Sequence, residues 1–127
     1  MIRMLEFFDP DDKAGIATFY DRHILFNTKL IRHFAEAYKV RVGFDKELRK
    51  IYVFPIDRDF AESGQIKESS LLSLSVSKSY VRVASKPLMD FIAEAFGIKI
   101  AKGESKQFKT TYDENKKCVV IDLGGAE

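Results

Sequence analysis

One pattern occurs twice in this sequence: IATFYDRHILFNTKLIRHFAEAY at residues 16–38 and SLSVSKSYVRVASKPLMDFIAEAF at residues 73–96. In each copy, two short runs of β-type residues flank a polar pair, Asp21-Arg22 in the first and Lys78-Ser79 in the second. An Ala-Glu-Ala segment followed by an aromatic residue ends each copy. The pattern therefore predicts strand, tight turn, strand and helix, in that order, twice in one chain.

Capping signals define the second helix. Ser85 offers a hydroxyl to free helical N–H groups, Pro87 suits the first turn, and Gly97 suits a left-handed stop. The spacing predicts a helix over residues 84–96 with one apolar stripe, which consists of Leu88, Phe91, Ile92 and Ala95.

The first helix has fewer boundary signals. Asn27 or Thr28 is the candidate cap, no glycine ends the segment, and we expect the helix to end near Lys39. Its predicted apolar stripe consists of Leu30, Ile31, Phe34 and Tyr38.

A hairpin is predicted to close each copy. Residues 40–56 and 108–123 each contain two apolar runs around a polar loop, and Phe44-Asp45 in the first matches Tyr112-Asp113 in the second. The repeated unit is therefore ββαββ, with one helix.

The repeat divides the chain. We expect a first repeat at residues 16–56, a linker at 57–72 and a second repeat at 73–127, which carries an insertion at 97–107. Residues 1–15 form a predicted N-terminal extension, in which Met1 to Phe8 is a candidate strand.

The expected fold class is α+β. A unit of about 45 residues leaves one face of its sheet uncovered, whereas two fused units cover each other's apolar faces as two chains of a homodimer do. The tandem repeat is thus expected to form an intramolecular pseudo-dimer, arranged as a swapped-hairpin-like structure or a small barrel.

Composition and charge limit the classes of partner. The 127 residues include one cysteine, so no intramolecular disulfide forms, and no apolar run reaches the roughly 20 residues of a membrane span. Arg3 and Glu6 interrupt the apolar start, which argues against a signal peptide and for a cytoplasmic protein. Residues 22–50 carry eight Lys and Arg against three Asp and Glu, and residues 99–117 carry six against three. Either a solvated surface or an anion-binding face accounts for these basic stretches.

The order of strand, polar turn, strand and lysine-containing helix entry resembles the AbrB, MazE and SpoVT type of swapped-hairpin DNA-binding domain. It also resembles the MraZ family, which holds two such units in one chain. The resemblance lies in Asp21 to Phe26 with Lys29, and in Lys78 to Val83 with Lys86. Where the family usually has a Gly-Arg turn and an Ile-Pro step, this chain has Asp21-Arg22 with Phe26-Asn27, and Lys78-Ser79 with Val83-Ala84.

The resemblance implies DNA binding through basic side chains of the turns and helix entries. The predicted nucleic-acid-binding residues are Arg22, Lys29, Arg32, Lys78, Arg82 and Lys86. Lysine and arginine bind phosphates and release counterions, and arginine also reads guanine edges. Tyr20 and Tyr80, which flank the turns, are the aromatic residues best placed for stacking on single-stranded bases.

An alternative function is a protein-interaction module, similar to an antitoxin, that keeps the fold without binding DNA. On either view the chain is expected to be a monomer or a homodimer, and to have no membrane partner.

No catalytic activity is expected. His23 and His33 have no Cys, Asp or Glu at a metal-ligand spacing, Cys118 lies in an apolar strand where a thiol is inert, and no nucleotide or hydrolase motif occurs. Asp11-Asp12 and Asp57 with Asp59 occur in polar turn-like stretches, where carboxylates are common. No cofactor and no metal are expected.

Overall fold

The structure is a computed structural model that describes residues 15–124. The predictions for Met1 to Phe8 and for Asp11-Asp12 therefore lie outside the described residues. Within them are three α-helices, α1 (Ile31–Phe34), α2 (Arg58–Glu62) and α3 (Lys86–Phe96). The described strands are β1 (Ile16–Phe19), β2 (His23–Phe26), β3 (Lys39–Asp45), β4 (Lys50–Ile56), β5 (Leu71–Leu72), β6 (Ser75–Val76), β7 (Val81–Ala84), β8 (Lys106–Asp113) and β9 (Cys118–Asp122).

These strands form one antiparallel sheet with the order β5-β3-β4-β9-β8-β1-β2-β7-β6. Its two outermost strands, β5 and β6, are separated in the chain by only Ser73 and Leu74. The sheet consequently curls into a half-barrel, so that its two ends approach each other. The mixed helix and strand content agrees with the predicted α+β class.

The core fills the concave side of the sheet. In β1 and β2 buried and partly exposed residues alternate, which is the period of a strand with one covered face. The largest fully buried side chains are Phe19, Ile24, Phe26, Phe34, Val40, Ile51, Val53, Val81, Val83, Ile92, Val119 and Ile121. Side chains from both halves of the chain thus share one apolar interior.

The second helix begins and ends where predicted. The Ser85 hydroxyl accepts a hydrogen bond from the Leu88 N–H at 3.2 Å, and Gly97 has a φ of 69°. The predicted apolar stripe is wrong at Phe91, which is 44% exposed, whereas Met89 is buried. The buried face centres on Leu88, Ile92 and Phe96, which recur every four residues, and Phe91 lies to one side of it.

The first helix is shorter than predicted. A 3₁₀ turn (Thr28–Leu30) leads into α1, which ends at Phe34 and not near Lys39. The Tyr38 N–H donates to the Ile56 carbonyl at 2.8 Å. Tyr38 is therefore already paired with β4, and the segment after Phe34 does not continue as a helix. Of the two candidate caps, Asn27 occupies the N-cap position of the 3₁₀ turn, but its side chain makes no capping hydrogen bond, and the Thr28 hydroxyl donates to the Ser79 carbonyl at 3.1 Å.

The predicted hairpins form as β3 with β4 and β8 with β9. The segment 57–72, expected as a linker, contains α2, a second 3₁₀ turn (Glu68–Ser70) and β5. The Asp57 side chain accepts from the Phe60 N–H at 2.7 Å and caps α2.

Candidate nucleic-acid interface

The antiparallel pair of β2 and β7, the β2–β7 ribbon, lies between β1 and β6 in the sheet. His23 lies opposite Ala84, Leu25 opposite Arg82, and the alternate residues between them point into the core. Because side chains alternate along a strand, these four residues share the outer face of the ribbon.

At the first end of the ribbon, the β1–β2 turn lies next to the start of α3. The Ser85 N–H donates to the Arg22 carbonyl at 3.1 Å, so Arg22 and Lys86 lie beside each other. Both cations have a carboxylate nearby. The Arg22 Nε is 3.9 Å from Asp21, and the Lys86 Nζ is 2.7 Å from Asp90.

At the second end of the ribbon, the β6–β7 turn lies next to the 3₁₀ turn before α1. The Thr28 hydroxyl donates to the Ser79 carbonyl, and this hydrogen bond brings Lys78 near Lys29. Both lysines are exposed. The Ser77 hydroxyl accepts from the Ser79 and Tyr80 N–H groups at 3.2 and 3.1 Å, which holds the turn in shape. The Tyr80 side chain beside it is 40% exposed.

Between the two ends, Arg82 is the cation of the outer face. On the other strand, the His23 ring stacks on Tyr20 with centroids 4.5 Å apart. Burial lowers the pKa of His23, the nearby Arg82 lowers it further, and Asp21 acts in the opposite direction. His23 is therefore uncharged near neutral pH, and Arg82 carries the charge at the centre.

The fold brings together five of the six predicted residues: Arg22, Lys29, Lys78, Arg82 and Lys86. It does not bring in Arg32, which lines a separate shallow recess on the α1 side with Glu36, Asp57 and Tyr112. Both acidic neighbours oppose anion binding at that recess.

Sequence reasoning missed the polar residues that extend the face across neighbouring strands. One row of paired residues on the outer face crosses five strands, β8, β1, β2, β7 and β6. In that order the row consists of Gln107, Thr18, Leu25, Arg82 and Ser75. Lys109 lies opposite Ile16, two residues further along β8 on the same face. The basic composition of residues 99–117 was the available signal, but only the strand register places Lys109 on this side.

The other chemically reactive side chains lie elsewhere. Cys118 is buried, and burial, followed by the nearby Asp113, raises the pKa of its thiol, while Lys116 acts against them. Among residues 15–124, no three His, Cys, Asp or Glu side chains converge in a metal-binding arrangement. Across the same residues, no helix combines the length and the apolar character that crossing a membrane requires.

Comparison with known proteins finds no match: no protein family, no curated protein and no solved structure is detectably similar to this chain.

Proposed function

We propose that this protein is a non-enzymatic DNA-binding protein that contacts DNA with the outer face of the β2–β7 ribbon and the turns at its ends. One observation carries the proposal. At each end of the ribbon a turn and a helix entry bring two basic residues close together, Arg22 with Lys86 and Lys78 with Lys29, and Arg82 lies between the two ends. A small transcriptional regulator or an accessory protein of a mobile element is the biological role that fits such a surface.

The dimensions of the ribbon suit duplex DNA. Its four residue pairs span about 13 Å at the usual rise of a strand, close to the width of the major groove of B-DNA, which is about 12 Å, and the flanking strands β1 and β6 extend the surface beyond the groove. In this arrangement the central side chains face base edges. The lysines and arginines at the ends face the phosphates on either side.

We also propose that the chain is a tandem ββαββ repeat folded as an intramolecular pseudo-dimer. The strand register supports this symmetry. When the repeats are aligned on their turns, Leu25 matches Arg82, and these two residues lie directly opposite each other in the ribbon. When they are aligned on their hairpins, Tyr52 matches Val120, and these also lie opposite each other. A two-fold axis through both pairs accounts for the two registers together.

Contacts between the two halves give the same relation. The turn of each repeat receives a hydrogen bond from the helix entry of the other, at Arg22 and at Ser79. Aromatic contacts also join each helix to the hairpin of the other repeat: Phe91 of α3 packs on Phe44 of β3, and His33 of α1 packs on Tyr112 of β8.

Fluorescence anisotropy with duplex oligonucleotides at increasing salt tests DNA binding. Replacing Lys29 and Lys78 together by alanine removes two positive charges, and the salt slope of the affinity should fall by about 0.9 for each phosphate that is no longer neutralised. Replacing Lys46 and Lys116 together by alanine is the matched control, because these two lysines lie over Phe91 and Tyr52, away from the ribbon. Absence of salt-dependent binding by the wild-type protein, or an equal reduction in the control, would refute the proposal.

A second candidate function is protein interaction, and one apolar feature favours it. A groove of about 240 Å³ lies between α3 and the β3–β5 edge, and it includes the exposed Phe91 together with Phe44, Leu72 and Pro87. This function predicts that Phe91→Ser abolishes a defined complex with a protein partner while the protein stays folded, although loss of the contact with Phe44 lowers its melting temperature. A complex that survives this change would count against a role for the groove.

A further inference from the structure

We infer that the protein binds a non-palindromic duplex DNA site in one fixed orientation, with the end of the ribbon that carries Lys78 as its main phosphate contact and Arg82 as its base-reading residue. This inference rests on the proposed DNA-binding function. The kind of site follows from differences between positions that the pseudo-two-fold axis makes equivalent.

The two ends of the ribbon differ at the positions next to their basic residues. At the first end, Asp21 and Asp90 lie beside Arg22 and Lys86 and offset their positive charge. The alignment of the turns places Lys78 at the position of Asp21, and His33 at the position of Asp90. A lysine and a histidine thus stand at the second end where the first end has two carboxylates.

The charge of His33 does not change this difference near neutral pH. Burial lowers the pKa of His33, and Arg32 lowers it further, while Glu114 acts in the opposite direction. The ring also stacks on Tyr112 with centroids 3.8 Å apart, on the side of α1 that packs against β8. Lys78 consequently supplies the positive charge that distinguishes the second end from the first.

The centre of the ribbon is asymmetric as well. Arg82 lies directly opposite Leu25, although the two positions are equivalent under the pseudo-symmetry. An arginine donates two hydrogen bonds to guanine, whereas an alkyl side chain contacts only the methyl group of thymine. A palindromic site presents the same pattern to both strands of the ribbon, so it would leave one of these side chains mismatched.

Selection of bound sequences from a random duplex pool, followed by anisotropy on the selected site, tests the inference with the full chain. We expect a non-palindromic consensus. Lys78→Ala should reduce the salt slope by about 0.9, whereas Arg22→Ala should reduce it less because Asp21 already offsets that charge. Arg82→Ala should reduce discrimination at one base pair by roughly five- to hundredfold.

Arg82→Lys serves as the control for charge, because lysine keeps the positive charge but not the paired donors; it should retain the salt slope and lose the discrimination. A palindromic consensus, equal effects of the Lys78 and Arg22 variants, or binding of single strands alone would overturn the inference while leaving nucleic-acid binding intact. Failure of the wild-type protein to bind any duplex at low salt would overturn the proposed function itself.

Discussion

His33 shows how one residue links pH to the packing of an element. Its ring stacks on Tyr112 with centroids 3.8 Å apart and planes within 6°, which attaches α1 to β8. Burial and the neighbouring Arg32 lower the pKa of His33 against the weaker opposite effect of Glu114. The neutral ring is therefore the form that the folded protein favours.

Because the pKa of His33 is lower in the folded chain, the unfolded chain takes up its proton first as the pH falls. The stabilisation is present above the ordinary histidine pKa of about 6.5 and is lost as the pH falls below it. His33→Phe keeps an aromatic ring that does not titrate. We expect its free energy of unfolding, measured with urea, to fall less than that of the wild type between about pH 7.5 and pH 5. The same pH dependence in both proteins would contradict this account.

At the scale of the element, the two hairpin loops use the same local chemistry. The Asp45 carboxylate accepts from the Leu48 N–H at 3.0 Å, and the Asp113 carboxylate accepts from the Lys116 N–H at 3.0 Å. Each loop ends in a residue with a left-handed backbone, Arg49 with φ 53° and Lys117 with φ 55°. A residue other than glycine costs energy in that conformation.

The two left-handed positions should respond differently to glycine. Lys117→Gly relieves backbone strain and should raise the free energy of unfolding by up to about 1 kcal/mol. Arg49→Gly relieves the same strain but removes hydrogen bonds to the Gly124 and Phe96 carbonyls at 3.1 and 3.3 Å. We expect it to destabilise the protein. Urea unfolding of the two variants measures this difference, and equal effects would show that the Arg49 hydrogen bonds contribute nothing.

At the scale of the whole molecule, the two halves of the chain complete each other's sheet. Strand β2 pairs with β7, β4 with β9, and β1 with β8, and each pair joins a strand before residue 57 to one after residue 72. The buried side chains of both halves form one cluster. Neither half therefore has a complete sheet or a covered core without the other.

This arrangement predicts a single cooperative unfolding transition. In urea, far-UV circular dichroism and tyrosine fluorescence should give superimposable curves. A chain limited to residues 16–56 should not fold as a monomer, because each of its four strands would lose its partner on one side. Two separate transitions for the full chain, or a folded monomeric fragment, would contradict the shared core.

Local patterns in the sequence predicted much of this protein. The turn at Asp21-Arg22, the helix between Ser85 and Gly97, the two hairpins and the burial of Cys118 all follow from caps, periods and turn residues within a few positions of each other. These signals are readable because the physical interactions behind them are local.

The tertiary structure decided what depends on distant partners. Tyr38 is not helical because its N–H donates to the Ile56 carbonyl, and Phe91 stays 44% exposed although its ring packs on Phe44, because it lies at the edge of the buried face of α3. The composition of the candidate interface was decided in the same way. Arg82 lies on the same face of the sheet as the two turns, whereas Arg32 lines a separate recess, because strand register sets which side chains share a face. That register forms between segments more than fifty residues apart, where no local pattern specifies it.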